Sequence, residues 1–197
     1  MKRSLSLAIV MLAVTMSPAS AQVVISINAG ALAHACYIAA KTRANIPEGV
    51  NNCTAALTEL GLTTKTRAAI LNNRGILFDA MKRYDDAWSD FSSSSSHDPT
   101  LGDPRLNLGV ALIRMEKSAQ AMQHIQEALV LGVSAPELAY FDRAVAEEKL
   151  GLIADAYYDY KRSLALDPNF TMASNALQNF RVVSKPAASG DSAQLPQ

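Results

Sequence analysis

Residues 72–91 read NNRGILFDAMKRYDDAWSDF, and this stretch decides the fold. Its apolar and small residues lie three, four and seven positions apart on both sides of a short polar segment, which is typical of two amphipathic helices joined by a turn. Gly75 and Ala87 fall in different helices and have little or no side chain. The two helices can therefore approach closely there, with Phe91 filling the space beside the contact. The stretch predicts a helical hairpin.

The same pattern recurs 34 and then 35 residues further along the chain. The recurring positions, in the order of the three copies, are Gly75, Gly109 and Ala144; Ala87, Ala121 and Ala156; Phe91, Ile125 and Tyr160; and Ser94, Ala128 and Ser163. A period of this length is typical of stacked repeats, each of which buries its apolar face against its neighbours. The pattern predicts an all-α solenoid, a class of protein that presents surfaces to partners.

Helix start and stop signals delimit the repeats, which we expect at residues 66–99, 102–133 and 134–168. Asp98-Pro99 and Asp167-Pro168 are expected to end helices, because proline lacks an N–H and disfavours α geometry in the residue before it. Asp103-Pro104 is expected to start the second repeat as an acidic N-cap followed by proline. Ser134-x-x-Glu137 has the spacing of a capping box and is expected to start the third.

The segments around the repeats have different compositions. Residues 29–65 predict an N-terminal helical hairpin, a degenerate repeat, and residues 22–28 before it are strand-like and predict an extended arm. Residues 170–182 predict a final amphipathic helix that covers the open end of the stack. Residues 183–197 are rich in Ser, Ala and Pro and predict a disordered tail.

Residues 1–21 predict a cleaved secretory signal peptide. Lys2 and Arg3 form a basic start, Leu5–Met16 is mostly apolar, and Ala19-Ser20-Ala21 provides a small-residue cleavage site. The alternative is an uncleaved membrane anchor, but the apolar run is well below the roughly 20 residues that a spanning helix needs. We therefore expect a mature protein that starts at Gln22 and is not inserted in a membrane.

The charge balance excludes one class of partner. The chain has 18 basic and 18 acidic residues and a formal net charge of 0, which falls to −2 without Lys2 and Arg3. Nucleic-acid-binding proteins carry a basic patch or an overall basic balance. We therefore expect no nucleic-acid partner.

The residue pattern resembles the tetratricopeptide repeat (TPR) family. The resemblance is carried by residues 72–91 with Asp98-Pro99, and by residues 155–160 with Leu166-Asp167-Pro168, whereas the middle repeat matches less well. The resemblance implies a right-handed α-α superhelix with a concave groove that binds a protein or peptide. The chain is also similar to small exported repeat proteins of Gram-negative bacteria, which implies a periplasmic location.

The resemblance implies a set of groove residues on the first helix of each repeat, around the glycine position. Carried over by register, they are Asn72, Asn73, Ile76 and Asp79; Leu106, Asn107, Val110 and Arg114; and Phe141, Asp142, Val145 and Lys149. Asparagine side chains both donate and accept hydrogen bonds, which suits an extended peptide backbone. The alternative is a merely solvated face.

One subtype of the family is not expected here. Its chaperone-binding members hold a terminal carboxylate with a ring of lysine, arginine and asparagine side chains. In this chain Asn72, Ile76 and Asn107 occupy positions where that ring would need other residues.

The two cysteines predict a disulfide. Cys53 lies 34 residues before Ala87, in the small-residue position of an earlier repeat, and the loop at residues 44–48 would let Cys36 lie opposite it. Two cysteines in an exported protein favour pairing. The alternative is a pair of buried free thiols. A metal or catalytic role is weaker, because there is no C-x-x-C motif and His34 alone does not complete a site.

Nothing in the pattern predicts catalysis. The three histidines are isolated, and Asp85, Asp86 and Asp90 are better explained as the acidic start of a helix than as a metal cluster. No glycine-rich phosphate loop follows a predicted strand. We therefore expect a non-catalytic protein without metal or cofactor that binds a protein or peptide through its groove. The alternative is an accessory subunit of an envelope enzyme or assembly complex that docks by its convex or terminal surface, and a hydrolase is the weakest hypothesis.

Overall fold

The computed structural model describes the backbone of residues 7–11 and all of residues 22–26 and 30–182, with the backbone of 183–184. The rest of the predicted signal peptide, the end of the predicted arm and the tail beyond Ser184 lie outside the described residues. The described elements are β1 (Leu7–Met11), α1 (Ala31–Thr42), α2 (Ile46–Ala56), α3 (Thr64–Ala80), α4 (Tyr84–His97), α5 (Gly102–Arg114), α6 (Ser118–Leu131), α7 (Pro136–Lys149), α8 (Ile153–Leu166), α9 (Thr171–Leu177) and β2 (Phe180–Ser184).

Consecutive helices pack as four hairpins, α1–α2, α3–α4, α5–α6 and α7–α8, and each hairpin packs against the next. The first helices of the last three hairpins also contact each other directly, α3 with α5 and α5 with α7. This arrangement confirms the predicted all-α solenoid.

The turn inside each of the last three hairpins has the same backbone conformation. Lys82, Glu116 and Gly151 are 34 and 35 residues apart, and all three have φ between 59° and 75°. The next residue donates its N–H to a carbonyl five positions earlier, for example Arg83 N to Phe78 O at 2.9 Å. This is a Schellman motif, which ends a helix by satisfying its last carbonyls.

The recurring small positions lie at the contact between the two helices of each hairpin. Ala87, Ala121 and Ala156 are fully buried. A Cβ added to Gly109 would lie 2.5 Å from Ile125 Cγ1 and 3.2 Å from the Ala121 carbonyl oxygen, so the α5 and α6 backbones approach closely here. At Gly75 the added Cβ would instead meet the Phe91 ring at 2.6 Å.

The serine positions of the repeat are buried and hydrogen-bonded. Ser94 Oγ donates to the Ala68 carbonyl at 2.7 Å, and Ser163 Oγ donates to the Glu137 carbonyl at 2.8 Å. The two bonds are equivalent, since both donors and both acceptors are 69 residues apart. A buried hydroxyl without a partner would destabilise the fold, so these bonds explain why serine is accepted in a core position.

The N-terminal hairpin is closed by the predicted disulfide. Cys36 on α1 and Cys53 on α2 are bonded, with an S–S distance of 2.10 Å and a Cα–Cα distance of 4.7 Å. Both residues are fully buried. The bond confirms the predicted pairing and holds together the first hairpin, which among the described residues packs against a neighbouring hairpin on one side only.

The end of the solenoid differs from the prediction. The helix predicted over residues 170–182 stops at Leu177, and Phe180–Ser184 forms β2, which pairs antiparallel with β1 from Leu7↔Ser184 to Met11↔Phe180. The Phe180 ring packs against the Tyr157 and Tyr160 rings at 5.8 Å. This contact and the strand pairing override the helical pattern after Leu177.

Two predicted helix caps are also wrong. The helix α5 already begins at Gly102, with Leu101 as its N-cap, and α7 begins at Pro136, with Ala135 as its N-cap. The Asp103 carboxylate instead accepts hydrogen bonds from Ser134 N at 2.8 Å and Ser134 Oγ at 2.6 Å. The two side chains that were expected to cap separate helices therefore join two repeats to each other.

Candidate peptide-binding groove

An extended segment of the chain lies across the first helices of two repeats. We call residues 22–26 the arm, and the face of α3 and α5 on which it lies the groove. Gln22 and Val23 are buried, Val24 and Ile25 are half-buried, and Ser26 is exposed. Val23 belongs to the hydrophobic core, and Val24 and Ile25 pack against it.

Asn107 on α5 binds the main chain of Val23 at two points. Val23 N donates to Asn107 Oδ1 at 2.9 Å, and Asn107 Nδ2 donates to the Val23 carbonyl oxygen at 2.8 Å. Asn72 Nδ2 on α3 donates to the same carbonyl at 3.0 Å, and Asn72 Oδ1 accepts from Asn107 Nδ2 at 2.8 Å. The amides thus form a network that binds the main-chain N–H and C=O of Val23, and these hydrogen bonds do not involve its side chain.

Asn73 repeats this arrangement one repeat earlier. Ile25 N donates to Asn73 Oδ1 at 3.0 Å, and Asn73 Nδ2 donates to the Ile25 carbonyl at 2.7 Å. The arm therefore advances by two residues for each repeat of the solenoid. In an extended chain the N–H and C=O groups of residues i and i+2 point to the same side, as they do toward a neighbouring strand. The side-chain amides of Asn73 and Asn107 make the hydrogen bonds that a neighbouring strand would make.

The structure brings three of the twelve predicted groove residues, Asn72, Asn73 and Asn107, onto the arm, and all three are fully buried. The apolar members of the predicted set are buried in the solenoid, and they are Ile76, Leu106, Val110, Phe141 and Val145. Among them, Phe141 on α7 packs within the fourth hairpin and against the residue before α9, with its ring 5.4 Å from Tyr160 and 5.3 Å from Phe170. Whether these residues contact a partner stays a prediction.

Three of the four charged members of the predicted set tie neighbouring repeats together. Asp79 on α3 pairs with Arg114 on α5 at 2.9 Å. Burial raises the pKa of Asp79, and the nearby Arg114 partly opposes that shift. Lys149 pairs with Glu116 at 3.0 Å at the ends of α7 and α5. Asp142, in the position equivalent to Asn107, is fully buried.

Two ion pairs inside the hairpins were not predicted from the sequence. Arg74 donates to Asp90 through Nε at 2.7 Å and through Nη2 at 2.8 Å, and Arg143 binds Asp159 in the same two-point way. The hydrogen bond with Asp90 raises the pKa of Arg74. Both members recur 69 residues later. The recurrence of arginine and aspartate at equivalent repeat positions could therefore have predicted both ion pairs, although Asp90 was interpreted as part of a helix start.

Glu147 lies beside the second ion pair. Its carboxylate is buried, with Oε1 4.0 Å from Arg143 Nε. Burial raises the pKa of Glu147 to about 7, with repulsion from Asp159 adding to the shift and Arg143 opposing it. This group is far from its ordinary titration range, and it lies in the packing between α7 and α8, not on the arm.

Within residues 22–26 and 30–182, no group of three or more His, Cys, Asp or Glu side chains could hold a metal ion. None of the helices described is long and apolar enough to span a bilayer.

Comparison with known proteins supports the architecture. No protein-family model matches the chain. The first TPR of Spaghetti (RPAP3) bound to the HSP90 peptide SRMEEVD is 28% identical, covers 58% of this chain and 90% of its own, and superposes with a TM-score of 0.55. A crystal structure of MamA is 18% identical and covers 70% of this chain and 77% of its own, with a TM-score of 0.58.

The fold is a tetratricopeptide-repeat solenoid. A curated relative, the Hsp70-Hsp90 organizing protein of Triticum aestivum, is 28% identical over 96 residues, which is 47% of this chain. The chain spans only 16% of the length of that relative.

Proposed function

We propose that this chain is a non-catalytic TPR module of the periplasm that binds an extended segment of a protein partner through its groove. The observation that carries the proposal is the binding of the Val23 and Ile25 main chain by Asn72, Asn73 and Asn107. The RPAP3 structures, in which a TPR domain holds a peptide, support the same class of function.

The burial of the asparagines supports a binding role. A buried amide costs free energy unless its donors and acceptors are paired. In the groove, the pairing partners of Asn73 and Asn107 include the main chain of an extended segment rather than only the helices themselves. Aliphatic residues would fill the same space without needing such a segment. The amides therefore favour a surface built to hold a peptide backbone.

The ion pair of the groove argues against acidic peptides such as the one bound by RPAP3. Asp79 on α3 and Arg114 on α5 pair with each other at 2.9 Å, so their charges largely cancel. A ligand that ends in several carboxylates needs cationic side chains to bind it, and Arg114 is already paired. We propose that the partner segment is not acidic, in line with the absence of the carboxylate-binding ring from the sequence pattern.

Recovery of partners from periplasmic extract tests the groove. We expect the purified protein to capture a partner that Asn73→Ala/Asn107→Ala fails to capture. Asn51→Ala is a matched control, because Asn51 is exposed on α2. Recovery of the same partners in the same amounts by all three proteins would overturn the proposed groove function.

Export through a cleaved signal peptide is part of this proposal and has its own test; cleavage would remove β1 and with it the pairing of β2. Intact mass measurement of the protein from a periplasmic fraction should give a chain that starts at Gln22. A chain that retains residues 1–21, or a protein found only in the cytoplasm, would overturn the proposed location.

A second function is favoured by large apolar side chains exposed away from the groove. Val130 on α6 is 78% exposed, Tyr158 on α8 is 60% exposed, and Trp88 on α4 is 42% exposed. All three lie on the second helices of the hairpins, which suits the alternative that this chain is an accessory subunit and docks by its convex surface onto an envelope enzyme or assembly complex. Loss of partners in Val130→Asp/Tyr158→Asp, with unchanged recovery in Asn73→Ala/Asn107→Ala, would favour this alternative.

A further inference from the structure

The arm uses the same groups that an external peptide would need. Both two-point amide contacts, those of Asn73 and Asn107, are already made to Ile25 and Val23. Asn72 Nδ2 is also occupied by the Val23 carbonyl. A partner segment cannot bind these amides until the arm leaves.

The arm is nevertheless held by few interactions. Its hydrogen bonds to the groove number five, and only Val23 of its apolar side chains is buried in the core. The chain between the arm and α1 is four residues long, from 27 to 30. Such a short connection holds the arm at an effective concentration of roughly millimolar near the groove. An external ligand therefore competes with a local ligand that is weak in itself and always nearby.

We propose that the arm is a built-in competitor of the partner, and that the partner segment has the character of the arm itself: extended, with aliphatic residues at positions i and i+2. This proposal rests on the proposed groove function and specifies its ligand. Backbone contacts accept many sequences, so the alternating aliphatic residues supply the selectivity, as in strand addition to a sheet edge.

The direction of the bound segment follows from the register. Val23 lies on Asn107 and Ile25 on Asn73, so the segment runs from the second repeat toward the first. Asp142 occupies the equivalent position in the third repeat. The amino end of a bound segment therefore lies toward the third repeat.

Peptide binding tests the proposal on the protein purified after expression of the full sequence. The probe is the peptide QVVISINA, the sequence of residues 22–29, with a fluorophore at its carboxyl end. We expect Val23→Asp/Ile25→Asp, whose arm cannot seat its two aliphatic side chains, to bind the probe at least about tenfold more tightly than the unmodified protein. Ser26→Asp is the matched control, because Ser26 is exposed, and it should bind like the unmodified protein.

Two further binding measurements define the site. The variant Val23→Asp/Ile25→Asp that also carries Asn73→Ala/Asn107→Ala should lose the gained affinity. The peptide QDVDSINA, which lacks the two aliphatic residues, should not bind the opened groove. Circular dichroism and thermal unfolding show that each variant retains its helices.

A second measurement avoids variants altogether. In the 15N-labelled unmodified protein, a saturating amount of unlabelled QVVISINA should shift the amide signals of Val23 and Ile25 toward those of an unstructured chain. Equal binding of the probe to the unmodified and Val23→Asp/Ile25→Asp proteins, or no binding to either, would overturn the proposal, as would arm signals that peptide leaves unchanged.

The outcomes separate this proposal from the groove function. If the peptide displaces the arm but the recovery of no partner depends on Asn73 and Asn107, the arm is a competitor for this groove and the proposed groove function is wrong. If partners depend on the two asparagines but recovery is the same with and without Val23→Asp/Ile25→Asp, the groove function stands and the competitor fails.

Discussion

At the scale of single residues, small side chains and buried amides do different work. Gly75, Gly109 and the alanines that recur with them permit close packing of the two helices of a hairpin. The two helices are adjacent in the chain, so the spacing of the small residues predicts this contact. The asparagines of the groove are buried without being part of that packing. Their partners lie 48 to 84 residues away in the chain, which no local pattern reports.

Gly109→Ala should destabilise the second repeat. The added Cβ would lie 2.5 Å from Ile125 Cγ1 and 3.2 Å from the Ala121 carbonyl, so either the side chain or the two backbones must shift. We expect the free energy of unfolding to fall by about 1–3 kcal/mol, the usual cost of overpacking a core. Urea denaturation measures this. Ser89→Ala, at an exposed position of α4, is the control and should change stability little.

Glu147 should make stability depend on pH. Its pKa is raised from 4.5 to about 7 in the folded protein, mainly by burial. Between these values the folded protein keeps a proton that the unfolded chain has released, so stability falls as pH rises through this window. Above pH 7 the carboxylate is charged in both states, and the full free-energy cost of burying that charge lowers the stability of the folded protein.

Glu147→Gln should remove that part of the dependence. We expect it to be more stable than the unmodified protein at pH 8 by on the order of 1 kcal/mol, and to differ little at pH 4.5. Denaturation midpoints at the two pH values give the result. Glu48→Gln, at an exposed position of α2, is the control. An equal loss of stability with pH in Glu147→Gln and the unmodified protein would contradict this account.

At the scale of elements, the helical hairpin is the unit of construction, and its first copy is stabilised in a different way from the others. α1 and α2 pack on α3 but have no hairpin before them among the described residues. The Cys36–Cys53 bond joins them within a separation of 17 residues. A cross-link of this kind limits the unfolded chain and so favours the folded hairpin.

Removal of the disulfide should therefore weaken the N-terminal hairpin selectively. Cys36→Ala/Cys53→Ala should lower the free energy of unfolding by roughly 3 kcal/mol in the chain-entropy model. Hydrogen exchange should accelerate in α1 and α2 more than in α5 to α8. Reductant should have the same effect on the unmodified protein and none on the variant. Uniform loss of protection over all hairpins would contradict the assignment of the bond to local stabilisation.

The elements also show where sequence reasoning succeeds and where it ends. Hairpin packing, the Asp98-Pro99 stop and the cysteine pair follow from patterns within one or two repeats. The strand β2 does not, because the helical spacing of Met172, Ala176 and Leu177 extends to Phe180, and the pairing with β1 and the ring contacts of Phe180 override it. The arm was predicted to be extended, but its place on the groove depends on contacts between distant segments.

At the scale of the whole molecule, the solenoid holds a segment of its own chain where a partner would bind. The repeat period sets the spacing of Asn73 and Asn107, and the two-residue period of an extended chain matches that spacing. In the groove, one repeat of the stacked helices therefore corresponds to two residues of the extended arm. This match exists in the free protein, before any partner binds.

Hydrogen exchange at the arm tests that claim most directly. Both arm amides that donate to asparagine, Val23 N and Ile25 N, should exchange at least about tenfold more slowly than in a free peptide of the same sequence. The protection should disappear in Asn73→Ala/Asn107→Ala and persist in Asn51→Ala. Exchange of Val23 and Ile25 at the rate of the free peptide in the unmodified protein would contradict the account.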